Sequence, residues 1–159
     1  MLNQDQVKTL IEDVAPLLDP ERVIYREEQA TWLFGFDETT IVAVIHDADQ
    51  HRLVLQLQLG PVPFDRQHSV YDLLLRYNFM WRESGGARMA LDDEANVTFL
   101  FECPLFDLDA AQLQTIIGNF VHQGVQWFQL IQESPASETT ATETPSDTAQ
   151  PPHWNGIRV

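Results

Sequence analysis

Between Thr39 and Leu59 the chain reads TTIVAVIHDADQHRLVLQLQL. The first run is β-branched through its middle, and the second alternates cleanly as Leu53, Leu55, Leu57 and Leu59. Asp47-Ala48-Asp49-Gln50 between them is built of turn formers. The segment therefore reads as an antiparallel hairpin. If His46 pairs with His51, Val44 faces Leu53 and Val42 faces Leu55. With Leu57 they form one face, the expected core face. The opposite face carries Ile41, Ala43, Ile45 and Val54 beside Gln56 and Gln58. That face is too apolar for ordinary solvent surface, so it calls for a cover.

The flanking segments fill in a small α+β domain. Asn3 and Gln6 stand at capping-box spacing, Leu2 and Val7 at the positions of a hydrophobic staple. Val7, Leu10, Ile11, Val14, Leu17 and Leu18 then follow helical spacing, with Pro16 awkward in the last turn. Arg22 to Arg26 is a short extended piece, and Thr31 to Phe36 a strand with Trp32, Phe34 and Phe36 alternating. A two-residue turn at Asp37-Glu38 sets Phe34 against Ile41 and puts the aromatics on the second sheet face. A one-residue shift moves them into the core.

Ser69 is placed as the cap of a middle helix carrying Val70, Leu73, Leu74 and Tyr77, while Leu75, Phe79, Met80 and Trp81 add apolar surface on other sides. A helix apolar on several faces needs more than one partner surface. Gly85-Gly86 supplies positive φ and starts a second hairpin, Ala87 to Leu91 and Val97 to Cys103. Asp109 and Gln112 cap a last helix with a long stripe from Leu113 to Ile131. The expected order is α-β-β-β-α-β-β-α, a twisted, mostly antiparallel sheet packed by helices. Residues 1–132 form the domain. Residues 133–159, rich in Ser, Thr, Glu and Pro, are expected to be a disordered acidic tail.

Charge narrows the function. The chain has 159 residues and a formal net charge of -15, from 24 acids against 9 bases. Phosphate backbones and anionic membranes repel such a surface, so neither nucleic acid nor membrane is an expected partner. A basic or extended, unfolded protein fits better. One cysteine leaves no intramolecular disulfide, and the N-terminus MLNQDQVKTLIEDV has no signal-peptide character; a cytoplasmic location is expected.

Chemistry-bearing patterns are sparse. His46-Asp47-Ala48-Asp49-Gln50-His51 offers nitrogen and oxygen ligands, and a hydrolase or small-ligand enzyme using the His46 and His51 region is the enzymatic alternative. The turn explains the same residues without a metal. Cys103 has no His and Asn or Asp arrangement around it. Gly85-Gly86 lacks a phosphate-loop context, and Asp92-Asp93-Glu94 lacks calcium-loop spacing. No catalytic residue, metal or cofactor is assigned.

LLLRYNFMWRESGGARMALDDE, the segment LFDLDAAQL and the element order together resemble the class I type III secretion chaperones of the CesT/Tir-chaperone family, over about residues 1–131. The resemblance implies a homodimer that needs no ATP. Its middle helix and second hairpin would meet across the two-fold axis. The dimer would hold the N-terminal region of one or more secreted effectors in extended form, soluble and export-competent. Some members instead sequester a regulator of secretion genes, which is the alternative function. The expected dimer interface is Val70, Leu73, Leu74, Tyr77, Phe79, Trp81, Phe99 and Phe101. The expected effector-binding surface is Val7, Ile11, Trp32, Phe34, Ile41, Ile45 and Val54. The tail is longer than in a minimal member, and docking to the export apparatus is one role open to it.

Overall fold

The computed structural model describes residues 2–132; the expected tail at 133–159 lies outside the described residues. Nine elements follow in order: α1 (Gln4–Leu18), β1 (Arg22–Arg26), β2 (Thr31–Gly35), β3 (Ile41–Asp47), β4 (Arg52–Pro61), α2 (Gln67–Phe79), β5 (Arg88–Leu91), β6 (Asn96–Pro104) and α3 (Ala110–Gln132). Single 3-10 turns precede β2 and α2. The strands form one six-stranded sheet in the order β1-β2-β3-β4-β6-β5. Every neighbouring pair is antiparallel. The fold is α+β, with one correction to the expected order. Arg22 to Arg26 is a full edge strand, so four strands precede α2.

Local chemistry sets the ends of these elements. Asn3 Oδ1 accepts from the Gln6 amide at 2.9 Å while Gln6 Oε1 accepts from the Asn3 amide at 2.9 Å, a complete capping box. Asp109 and Gln112 build the same box at the start of α3. The middle helix departs from expectation at both ends. It starts at Gln67, and Ser69 lies within its first turn, where its hydroxyl donates to the Arg66 carbonyl. It stops at Phe79, which leaves Trp81 in the following turn. Gly85 and Gly86 then take φ of 64° and 92°, the left-handed region that glycine enters without strain.

Register decides which face is core. Val44 pairs with Leu55 and Val42 with Leu57, two residues further along β4 than a His46–His51 pairing gives. An even shift preserves the faces, so Val42, Val44, Leu53, Leu55 and Leu57 are all buried as expected. The β2–β3 connection takes the other of its two registers. Phe36 N donates to the Thr40 carbonyl, so three residues rather than two sit in the loop. Phe34 therefore opposes Val42, and Trp32 opposes Val44. Asp37 stabilises the wider loop, because its Oδ1 accepts from the Thr39 and Thr40 amides and the Thr39 hydroxyl. Hydrogen bonds from Thr40 and Thr39 hold its carboxyl down to about 2.

The helices cover the core face. Phe120 of α3 stacks on Phe99 of β6 at 4.7 Å, and Tyr77 of α2 meets Trp127 of α3 edge-on at 4.9 Å. Val7, Ile11 and Val14 turn α1 into the same core. Gly124 lets α3 approach β4 closely, since a β-carbon there would overlap the Leu57 side chain. The C-terminal end of α3 is clamped to the sheet. Arg66 donates to the carbonyls of Ile131 and Leu130 at 3.0 and 2.9 Å. The Gln132 amide donates to the carbonyls of Leu59 and Pro61 at 2.8 and 3.0 Å.

Candidate protein-binding surface

The second face of the sheet is built by the alternate residues of the same strands. One cross-strand row runs Ile24, Leu33, Ala43, Gln56, Leu100 and Arg88. Beside it run Arg26, Thr31, Ile45, Val54 and Glu102. Arg22, Gly35 and Ile41 complete the patch. Ile24 is 46% exposed and Ile41 36%, whereas Leu33, Ala43, Ile45 and Val54 are half-buried among their neighbours.

Charges divide this face into two halves. Arg52 Nε binds Asp47 Oδ2 at 2.8 Å, Arg52 also reaches Glu102, and Arg88 Nη2 lies 3.4 Å from Glu102 Oε1. This ladder crosses β3, β4, β6 and β5. It lowers the Asp47 carboxyl, chiefly through the Arg52 hydrogen bond, and raises the Arg52 guanidinium. The other half is apolar from Ile24 through Leu33, Ala43 and Ile41 to Ile45, with Arg22 and Arg26 at its β1 edge.

The expected binding residues separate accordingly. Ile41, Ile45 and Val54 lie on the second face. Val7, Ile11, Trp32 and Phe34 do not: each is at most 2% exposed. Val7 and Ile11 line the inner stripe of α1, and the three-residue loop turns the aromatics inward. They are core residues of the protomer, and the surface assignment is corrected. Sequence reasoning missed Ile24 and Leu33, although the alternation Arg22-Val23-Ile24-Tyr25-Arg26 already set Ile24 between two cations.

The expected dimer residues divide as well. Val70, Leu74 and Phe99 are buried in the protomer, and Tyr77 and Phe101 pack against its core. The physical reason is that α2 packs against β5, with Tyr77 set between Phe99 of β6 and Trp127 of α3. Exposed apolar surface remains at Leu73, at 38%, and at Phe79 and Trp81, at 81% and 59%. Leu75 adds to it one helical turn before Phe79, and was not among the expected interface residues. Phe64 and Phe106 are exposed loop aromatics that no sequence signal singled out.

The groups considered for chemistry have structural roles. Asp47 accepts from the Gln50 amide and pairs with Arg52, while His46 faces the core, where burial lowers its pKa. Burial raises the Cys103 thiol. Among the described residues no group of three or more His, Cys, Asp or Glu is placed to hold a metal ion. No described helix is long and apolar enough to cross a membrane.

The model of the Tir chaperone protein (CesT) family matches residues 24–128, from β1 through most of α3. The chain belongs to that family. Solved structures agree in fold. A chain of the ExsC–ExsE complex superposes with a TM-score of 0.69 at 18% identity, covering 82% of this chain and 97% of that one. A chain of the HopA1–SchA chaperone–effector complex gives 0.63 at 19% identity, covering 77% and 93%. The complex of the Yersinia pestis type III secretion chaperone SycH with a fragment of YscM2 gives 0.57 at 24% identity, covering 74% and 96%. A search of curated proteins gives no match. The family is a chaperone family, and the apolar half-face is one of the apolar surfaces of this chaperone that no helix covers among the described residues.

Proposed function

We propose that this chaperone is a non-enzymatic, cytoplasmic homodimer that holds the N-terminal segment of one or more secreted effectors in extended form. The observation that carries the reading is the apolar patch of Ile24, Leu33, Ile41, Ala43, Ile45 and Val54 on an otherwise acidic molecule. An extended segment covers such a patch by laying side chains on the sheet face and by pairing its backbone with a free strand. β1 is that strand. It is at the end of the sheet, and among the described residues its backbone makes no hydrogen bond beyond the ladder to β2. Dimerisation belongs to the other side of the molecule, through Leu73, Leu75, Phe79 and Trp81. Aromatic and aliphatic anchors of this kind are typical of interface centres.

The test is co-expression with effectors encoded near its gene, followed by size-exclusion chromatography. The complex should contain two chaperone chains and one effector segment that is protease-sensitive when alone. Ile45→Asp should abolish co-elution while leaving the chaperone's melting temperature within a few degrees of wild type. Phe79→Asp with Trp81→Asp should yield monomer. A wild-type monomer that retains no effector would sink the reading.

A further inference from the structure

The open edge of the sheet is unlike the molecule as a whole. The chain is strongly acidic, with a formal net charge of -15. Yet β1 presents Arg22 and Arg26 on the same face as Ile24, at alternate positions of an exposed strand. Neither arginine forms an ion pair among the described residues, although Glu21, Glu27 and Glu28 are close in sequence. Arg88 and Arg52, on the same face, are by contrast paired with Glu102 and Asp47. Arg22 is also given room to lie against the sheet. Its Cγ and Nε stand 2.9 Å from where a β-carbon of Gly35 would be, so only glycine opposite it allows this pose.

A strand added to β1 puts its own alternate side chains opposite Arg22, Ile24 and Arg26. Opposite charges and matched apolar residues in directly facing positions favour such a pair, and like charges oppose it. Resting on the proposed function, we propose that Arg22 and Arg26 select client segments in which two acidic residues bracket an apolar one, in the pattern acid-x-apolar-x-acid. The chaperone would thus exclude basic extended segments at this edge despite its net negative charge. Long-range attraction brings a basic chain towards the molecule, while pairing at β1 rejects it.

The probes are two blocked, dye-labelled peptides with identical flanks, one with the core Glu-Thr-Ile-Thr-Glu and one with Lys-Thr-Ile-Thr-Lys, titrated against the full chain by fluorescence anisotropy. At low salt the acidic peptide should bind about tenfold more tightly. At half-molar salt the gap should narrow to about two- or threefold. Arg22→Glu combined with Arg26→Glu should reverse the preference with an unchanged melting temperature. Equal binding of the two peptides, or an acidic preference that survives the charge reversal, overturns the proposal. If the chaperone then still retains its effector and loses it on Ile45→Asp, only the selectivity of β1 has failed and the proposed function stands. If a peptide of residues 133–159 displaces the acidic probe at comparable affinity, the chain's own C-terminal segment is the occupant and the client proposal falls.

Discussion

The two edges of the sheet are treated in opposite ways. At the β5 edge Asn78 of α2 bonds the strand with its side chain: Nδ2 donates to the Met89 carbonyl at 2.9 Å, and Oδ1 accepts from the Met89 amide at 2.8 Å. A further strand cannot pair at Met89 without displacing that amide. At the β1 edge nothing comparable occurs among the described residues, and the strand is lined by an isoleucine and two arginines. Unprotected edges are aggregation hazards that proteins commonly block. Among the described residues one edge is thus obstructed at Met89 and the other is not. Acceptance of an extended client at β1 is the use that this asymmetry suits.

Five substitutions or titrations probe that contrast and the core behind it. The largest effect belongs to the closed side, where α2 is bound into the core. Leu74 is 5% exposed, so Leu74→Asp buries an unpaired charge and should cost roughly 3–5 kcal/mol, measured by chemical denaturation. Unfolding rather than clean dissociation is the expected outcome; a stable, folded monomer would mean that Leu74 belongs to the dimer seam after all. Asn78→Leu should cost about 2 kcal/mol by leaving both Met89 groups unpaired, and should add concentration-dependent self-association. If it remains as monodisperse as wild type, the β5 edge is closed by something other than Asn78.

Acid titration gives smaller effects. His46 has a lowered pKa, so it binds protons more readily in the unfolded chain. Its contribution is present above about 6.5, the unfolded value, and is lost as the pH falls below it. His46→Gln should flatten that part of the stability profile. Asp37 acts at lower pH: its contribution is present above 3.8, the ordinary carboxylate value, and is lost as the pH falls towards about 2. The smallest stability change is expected at the open edge. Ile24→Asp should alter the unfolding free energy by no more than about 0.5 kcal/mol, yet weaken client retention in the co-elution assay. A large loss of stability would show that Ile24 is already covered in the proposed dimer.

The open edge was also the less legible of the two. Periodicity found the β3–β4 hairpin and its core face even though the pairing was off by two, because alternation is insensitive to an even shift. It left the faces of Trp32 and Phe34 undecided, because one loop residue reverses them. The deciding interaction is Asp37 with the amides of Thr39 and Thr40, a loop geometry that alternation does not encode. Burial of Leu74 could not be told from burial in a dimer, since both demand an apolar helix face. The Asn78–Met89 bonds join a helix to a strand across a turn and leave no pattern in either segment. Arg22-Val23-Ile24-Tyr25-Arg26 did carry a signal, alternating charge and apolar character, but it was too short to identify an exposed edge strand before its neighbour was known.

The clamp at the end of α3 has a geometric consequence for whatever follows it. Gln132 is fastened to the exit of β4, and β4 exits at the same end of the sheet as Arg22, Gly35 and Ile41. Three strand spacings, about 14 Å, separate that anchor from β1. A flexible sequence tethered there that matched the open edge would compete for it intramolecularly, at an effective concentration on the order of millimolar. A client arriving from solution would then have to outbind the tether, and the tether's composition would set an affinity threshold for clients without altering a residue of the sheet.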